Sequence, residues 1–276
     1  MLLEALDDDR NDIYLHVDKK VKKFPEEVLK NTVLKANLIF VPRKSISWGG
    51  YSQIEVELLL LETATKTQHC YYHLLSGVDF PLKTQDEIYD FFNKNRGKNF
   101  IKYDWKSIEN KSHLDRIKFY HFFQEKIGRN SGKTAAFWWK MENVLLKGQK
   151  RISVDRIKGE EDKILKGTQW FSITHEMADY IIDKIVYIKR KFSYSLCADE
   201  VFLQTVASAS PYKESIVDDS LRLIDWKRGD PYIFRSDDYD ILSKSSKLFA
   251  RKFDEDVDIE IVRRLLENLK DESNPS

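Results

Sequence analysis

The sequence predicts an α/β fold built on a largely parallel sheet. Three observations carry that expectation. Short apolar runs of strand character alternate with helix-forming stretches as far as residue 104. Three of those runs end in an aspartate, Asp18, Asp79 and Asp104, and sheets of this kind bind ligands at the carboxyl ends of their strands. After a segment of different character, 105–166, the strand-then-helix pattern returns at "TQWFSITHEMADYII".

Each element follows from its residues. "MLLEALDDDR" reads as the last turns of an amphipathic helix, with acidic residues at the wrong end for its dipole. In "NDIYLHVDKK", Ile13, Leu15 and Val17 alternate with Tyr14 and His16, a strand that ends at Asp18. "ANLIFVPRK" is a second strand, closed by Pro42. A Gly-Gly turn in "SWGGYSQ" leads into the helix "IEVELLLLETAT". "CYYHLLSGVDFP" is a buried strand, with His73 as a satisfied core residue, that stops at Ser76-Gly77 and delivers Asp79 to a loop held by Pro81. Thr84 caps the helix "KTQDEIYDFFNKN", and "KNFIKYD" is the next strand. Thr174 caps the helix that follows "TQWFSIT", and "SLRLIDWKRGDPYIF" is a strand whose Asp225 and Trp226 lead into a Gly-Asp-Pro turn. "SDDYDILSKSSKLFARKF" and "DIEIVRRLLENLK" close the chain as helices, so that Arg251 and Lys252 end a helix whose dipole favours cations there, and "DESNPS" is a frayed tail.

The 276 residues suffice for one full-sized core, with no clear linker to divide them. Three regions of a single domain are expected: a nucleotide-binding half over 1–104, a helical, aromatic and basic insert over 105–166, and an acceptor- and diphosphate-binding half over 167–276. With 46 Lys plus Arg against 45 Asp plus Glu, the net charge of +1 supplies no long-range field for nucleic acid. Any basic site must be local. Two cysteines are too few for a disulfide framework or a four-thiolate zinc site, and no apolar stretch reaches the length of a membrane span. The default setting is cytoplasmic. Within 105–166, "RIKFYHFFQEKIGRNSGKTAAFWWKMENVLLKGQKRI" mixes bases and aromatics, either as helices with aromatic inner faces or as a lid or patch at anionic lipid headgroups.

The chain lacks a G-x-x-x-x-G-K loop, a G-x-G-x-x-G after a strand, a G-x-S-x-G elbow and any zinc-ligand spacing. Asp-x-Asp pairs such as Asp7/Asp9, Asp238/Asp240 and Asp256/Asp258 lie in or beside helical stretches rather than after an apolar strand, so a metal held on a diphosphate is not expected. If the sheet binds a nucleotide diphosphate, side-chain cations such as Arg235, Arg251 and Lys252 must neutralise it. Asp199 and Glu200, ahead of an apolar run in "CADEVFLQTV", read on their own as acids of a first helical turn.

Taken together, "YLHVDKK", "WGGYSQIEVELLLLETA", "HLLSGVDFPLKT", "GTQWFSITHE", "CADEVFLQTV", "LRLIDW" and "LFARKFDEDVD" resemble, in order and spacing, the core-2/I-branching glycosyltransferase family of β-1,6-N-acetylglucosaminyltransferases and peptide O-xylosyltransferases, here of bacterial type. The resemblance spans nearly the whole chain. It implies a GT-A-like, Rossmann-type nucleotide-sugar fold that transfers a sugar from a UDP donor with inversion and without a divalent metal or other cofactor. It makes Glu200 the general base, puts Arg235 and Lys252 on the diphosphate and Asp18 on the uridine, and lines the sugar and acceptor site with Asp79, Trp170 and Trp226. Family members begin with a strand and an Ala-His turn ahead of the first helix, so that first strand is expected to be missing here. Gln169-Trp170 stands where xylosyltransferases tend to carry Asp-Trp, which leans against xylose, and N-acetylglucosamine is the donor sugar expected. The expected partners are therefore a UDP-sugar and a glycan or lipid-linked oligosaccharide acceptor, met at the inner face of a membrane with peripheral association. The alternatives are a peptide O-xylosyltransferase-like enzyme and a nucleotide-sugar-binding protein without catalysis.

Overall fold

A computed structural model of the chain describes residues 1–273. It opens with α1 (Leu2–Ala5), β1 (Asp12–Leu15), α2 (Glu26–Thr32) and β2 (Asn37–Phe40). Joined through a helix, β1 and β2 pair parallel as a two-stranded sheet of their own, with Asp12 opposite Asn37 and Leu15 opposite Phe40. β1 ends at Leu15, so Asp18 lies in the loop beyond it.

Next come α3 (Tyr51–Ala64), β3 (Tyr71–His73), β4 (Asp79–Pro81), α4 (Gln85–Lys94) and β5 (Asn99–Tyr103). Thr84 caps α4 by accepting from the Glu87 amide while Glu87 accepts from the Thr84 amide, the reciprocal arrangement that T-x-x-E encodes. Asp104 ends β5 and caps α5 (Trp105–Glu109) through Ser107. Three more helices follow, α6 (Asp115–Lys118), α7 (Gln124–Ile127) and α8 (Lys133–Arg151). The chain then runs through β6 (Gly167–Thr174), α9 (His175–Asp183), α10 (Ile185–Phe192), α11 (Phe202–Ser208), β7 (Ile216–Val217), β8 (Arg222–Ile224), α12 (Tyr239–Ser243), β9 (Phe249–Arg251) and α13 (Ile259–Ser273). Thr174 caps α9 through the Met177 amide.

The α/β class holds, but the sheet is mixed rather than largely parallel. Four strands make the central sheet in the order β3-β6-β5-β7, with β6 antiparallel to both neighbours and β7 parallel to β5. The reason lies in the connection. β6 is reached through the long helical stretch after β5 rather than through a single crossover helix, so nothing obliges it to re-enter in the same direction. A third sheet, β4-β9-β8, pairs β9 antiparallel to β4 and parallel to β8.

Three local expectations also change. Asp79 lies in strand β4 rather than in a loop; Pro81 is compatible with it because β4 is an edge strand, where a missing amide leaves no ladder bond unmade. "FAR" is strand β9 rather than the end of a helix, because α12 stops at Ser243 and Phe249 and Ala250 are buried between β4 and β8. β3 is an edge strand rather than a buried one, yet His73 on it is satisfied, its Nδ1 2.9 Å from Ser172 Oγ and its ring against Phe92 and Phe249, and desolvation pushes the imidazole down to about 3.

The largest core packs α3, α9, α10 and α11 on the central sheet through Ile54, Leu58, Ile101, Phe171, Ile173, Met177, Ile181, Phe192, Phe202 and Leu203. A second core sets α13 against β4 and β9 through Phe80, Ala250, Ile261 and Leu265. β9 reaches β6 where Arg251 covers the Trp170 ring.

Candidate active site

Glu200 does not start helix α11. It ends a short 3-10 turn, Ala198–Glu200, and Val201 is the residue that precedes the helix, so the side chain is free of capping duty. Cys197, in the left-handed region at φ 46°, turns the chain into this segment, and its amide donates to the Gly49 carbonyl at 2.9 Å. Arg116 Nη1 donates to Glu200 Oε2 at 2.9 Å, and Lys166 Nζ stands 3.6 Å from the same oxygen and 2.9 Å from Asp104 Oδ2. Burial works against the Asp104 charge, but hydrogen bonds from Ser107 and Lys166 outweigh it and hold that carboxyl down at about 2. Both cationic contacts fall on Oε2 of Glu200. Oε1 has no hydrogen-bond partner among the described residues, and the side chain is 35% exposed, so a hydroxyl can reach it.

Behind Glu200 lies a buried acidic pair. Glu57 Oε1 accepts from Gln169 Nε2 at 2.6 Å, and Asp199 Oδ2 accepts from Gln53 Nε2 at 3.3 Å, while Glu57 Oε2 and Asp199 Oδ1 are buried without partners. Burial, reinforced by Asp199, pushes Glu57 well above the usual carboxyl range. Burial and then the Glu200 charge push Asp199 up to about 7. The consequence has a sign. An acid raised in the folded state holds its proton where the unfolded chain has lost it, so this site's contribution to stability is greatest below about pH 4 and is lost as pH rises to about 7. An Asp199→Asn variant is expected to gain about 2 kcal/mol on the parent between pH 5 and pH 8, measured by urea unfolding at both pH values. Parallel profiles for the two proteins would refute the assignment.

Gln53 links this pair to a neighbouring cleft. It lines a cleft of about 360 Å³ with Asp18, Lys20, Ile46, Ser47, Trp48 and the 128–130 loop. Asp18 Oδ1 accepts from the Lys20 amide at 2.9 Å, and Arg129 covers the Trp48 ring at 4.8 Å. The wall of the cleft is fixed by Glu125, whose carboxylate accepts from both the amide and the hydroxyl of Ser52 in the first turn of α3, each at 2.8 Å.

Strand β6 separates the acids from a cationic cluster. Ile101 and Tyr103 of β5 face Phe171 and Gly167 of β6, so the residues between the latter two bulge out of register. A bulge re-aims side chains. Here it turns Gln169 toward Glu57 and sets Trp170 under the Arg251 guanidinium, 3.9 Å from the ring. Gly167 makes the close approach possible, since a Cβ there would lie 1.8 Å from the Lys102 carbonyl oxygen. Arg251 in β9 sits opposite Asp79 in β4, and its Nε is 3.3 Å from Asp79 Oδ1. Burial raises the Asp79 carboxyl above its usual range, and Arg251 pulls it back.

The structure therefore joins Asp79 and Trp170 through Arg251, and joins Asp18 to the neighbourhood of Glu200 through Gln53. Arg235 and Lys252 lie on adjacent segments, the Phe234 amide donating to the Lys252 carbonyl at 2.9 Å. Neither has an ion-pair partner among the described residues. Trp226 stands 59% exposed beyond the end of β8 and makes no ring contact among the described residues. Sequence reasoning missed Arg116, Lys166, Gln53 and Glu57, and offered Arg251 as a candidate diphosphate cation beside its reading as a helix-end charge without seeing its partners Asp79 and Trp170. Arg116 and Lys166 had no signal of their own, being two bases among many in a basic stretch. Glu57 carried one, an acid inside the apolar run "IEVELLLL".

A family model described as Core-2/I-Branching enzyme matches residues 1–245. Rat xylosyltransferase 2 is 29% identical over 294 residues, covering 96% of this chain and 31% of the rat protein. Human xylosyltransferase 1 is 26% identical over 280 residues, covering 91% of this chain and 27% of the human protein. The chain thus spans less than a third of the length of either relative.

Proposed function

The chain belongs to the core-2/I-branching enzyme family, and from that premise we propose that it moves a sugar from a UDP donor to an acceptor hydroxyl with inversion, without a divalent metal. One observation carries the reading. Glu200 is an accessible carboxylate outside any helix start, anchored through one oxygen by Arg116 and Lys166 and open at the other. In the proposed step the acceptor hydroxyl gives its proton to Glu200 Oε1 while its oxygen bonds to the anomeric carbon. The bond from that carbon to the diphosphate breaks on the opposite face, and UDP leaves with the electron pair. Charge grows on the diphosphate as it departs, and Lys252, Arg235 and Arg251 are the cations assigned to meet it. Asp18 is assigned to the uridine, in the cleft beside Trp48. Asp79 and Trp170 act through Arg251, which they hold in place, and Trp226 is available to an acceptor sugar from its exposed loop.

The sequence leans toward N-acetylglucosamine as the sugar and toward a glycan or lipid-linked oligosaccharide as the acceptor. The relatives' names favour a second reading, xylose as the sugar. The proposed setting is cytoplasmic, in keeping with two free thiols, Cys70 and Cys197. Calorimetric titration with UDP in EDTA, followed by transfer assays with UDP-N-acetylglucosamine and UDP-xylose, tests the reading. Binding and transfer that both survive EDTA are expected. Transfer that needs added metal would overturn metal independence, and UDP binding with no turnover from either donor would favour a binding protein.

A further inference from the structure

Helix α8 has two faces of opposite kind. On the inner face Ala135, Glu142 and Gln149 are buried: Glu142 Oε2 accepts from the Phe123 amide at 2.9 Å, and Gln149 exchanges hydrogen bonds with the Tyr120 backbone, each 2.8 Å. On the outer face Phe137, Met141 and Val144 recur at i, i+4 and i+7 and are 55%, 36% and 56% exposed. Ile152, 75% exposed, continues the line just past the last turn. Lys133, Lys140 and Lys147 run beside this line at seven-residue spacing, and Arg151 extends the lane of Phe137 and Val144. None of these four bases has an ion-pair partner among the described residues. Glu142, the one acid of the helix, is buried.

A face that merely faces water needs no row of large apolar side chains, and a face meant for a second copy of the chain would set like charges against each other. Apolar residues bordered along the helix by unpaired bases match a surface that is oily within and anionic at its boundary. We propose that α8 lies flat on an anionic lipid bilayer, with Phe137, Met141, Val144 and Ile152 entering the boundary between headgroups and acyl chains and Lys133, Lys140, Lys147 and Arg151 meeting lipid phosphates. Docking of this kind needs no membrane span, and among the described residues no helix is long and apolar enough to cross a bilayer. It goes beyond the transfer reaction and stands whether or not the chain transfers sugar.

Flotation of the purified full chain with vesicles tests it, without donor or acceptor present. One set is phosphatidylcholine alone and the other phosphatidylcholine mixed with phosphatidylglycerol. Binding to the mixed vesicles only, weakened by salt, is expected. A Phe137→Ser/Val144→Ser variant and a Lys140→Gln/Lys147→Gln variant, both at exposed positions and checked for unchanged far-ultraviolet circular dichroism, are each expected to bind roughly tenfold more weakly. Failure to bind mixed vesicles, equal binding to both lipids, or parental binding by either variant would overturn the proposal. So would a dimer in sedimentation velocity that Phe137→Ser/Val144→Ser disperses, since the face would then belong to a second copy.

Discussion

A Glu200→Gln variant is expected to lose transfer by about 10²- to 10⁴-fold while binding UDP as the parent does. The substitution keeps size and the Arg116 hydrogen bond, because the amide oxygen can still accept, while it removes the ability to take a proton together with the negative charge that pairs with Arg116 and Lys166. The loss should therefore fall on kcat with KM for the donor unchanged. Unchanged circular dichroism would separate this from misfolding, which is not expected since Glu200 is only half-buried. Full activity in the variant would sink the assignment of Glu200 as base, and loss of UDP binding would show that Glu200 serves the donor instead. Two cations steady one oxygen of Glu200, and Asp199 behind it, pushed up to about 7 by burial and then by the Glu200 charge, is largely protonated below that pH.

Replacing Arg251 by Leu is expected to destabilise the fold by about 3–5 kcal/mol at neutral pH, read by urea unfolding. Asp79 has a fully buried side chain, and Arg251 is the only cation within ion-pair distance of it among the described residues. Without Arg251 the carboxylate stays buried and unpaired, and Trp170 loses the guanidinium that covers it. Because burial already raises the Asp79 carboxyl, losing the cation raises it further, so the variant's deficit should shrink as pH falls and Asp79 becomes neutral. Adding Asp79→Asn to Arg251→Leu should restore much of the loss, since the uncompensated charge is then gone. Equal losses at acid and neutral pH, or a double variant no better than the single, would mean that the packing of Arg251 matters rather than its charge.

Much of the fold was legible because local chemistry wrote it. Thr84 and Thr174 cap helices where the sequence placed them, and the strand-and-helix alternation announced the α/β class, whereas the Asp104 cap of α5 was read only as a strand end. Strand direction was not legible, because alternation counts crossings but does not say at which end a long connection such as 105–166 returns the chain. The state of "FAR" was not legible either, since two neighbouring strands decide it, not its own residues. By itself the sequence determined the block order that marks the family and the candidate residues Glu200, Asp18, Asp79, Trp170, Arg235 and Lys252. Only the tertiary structure decided what stands beside them: Arg116 and Lys166 on Glu200, Gln53 lining one cleft with Asp18 while donating to Asp199, and Arg251 between Asp79 and Trp170. The physical reason is range. Caps and alternation are set by neighbours a few residues apart, whereas a charge and its partner are matched across 84 residues for Arg116 and Glu200, a pairing that only folding creates.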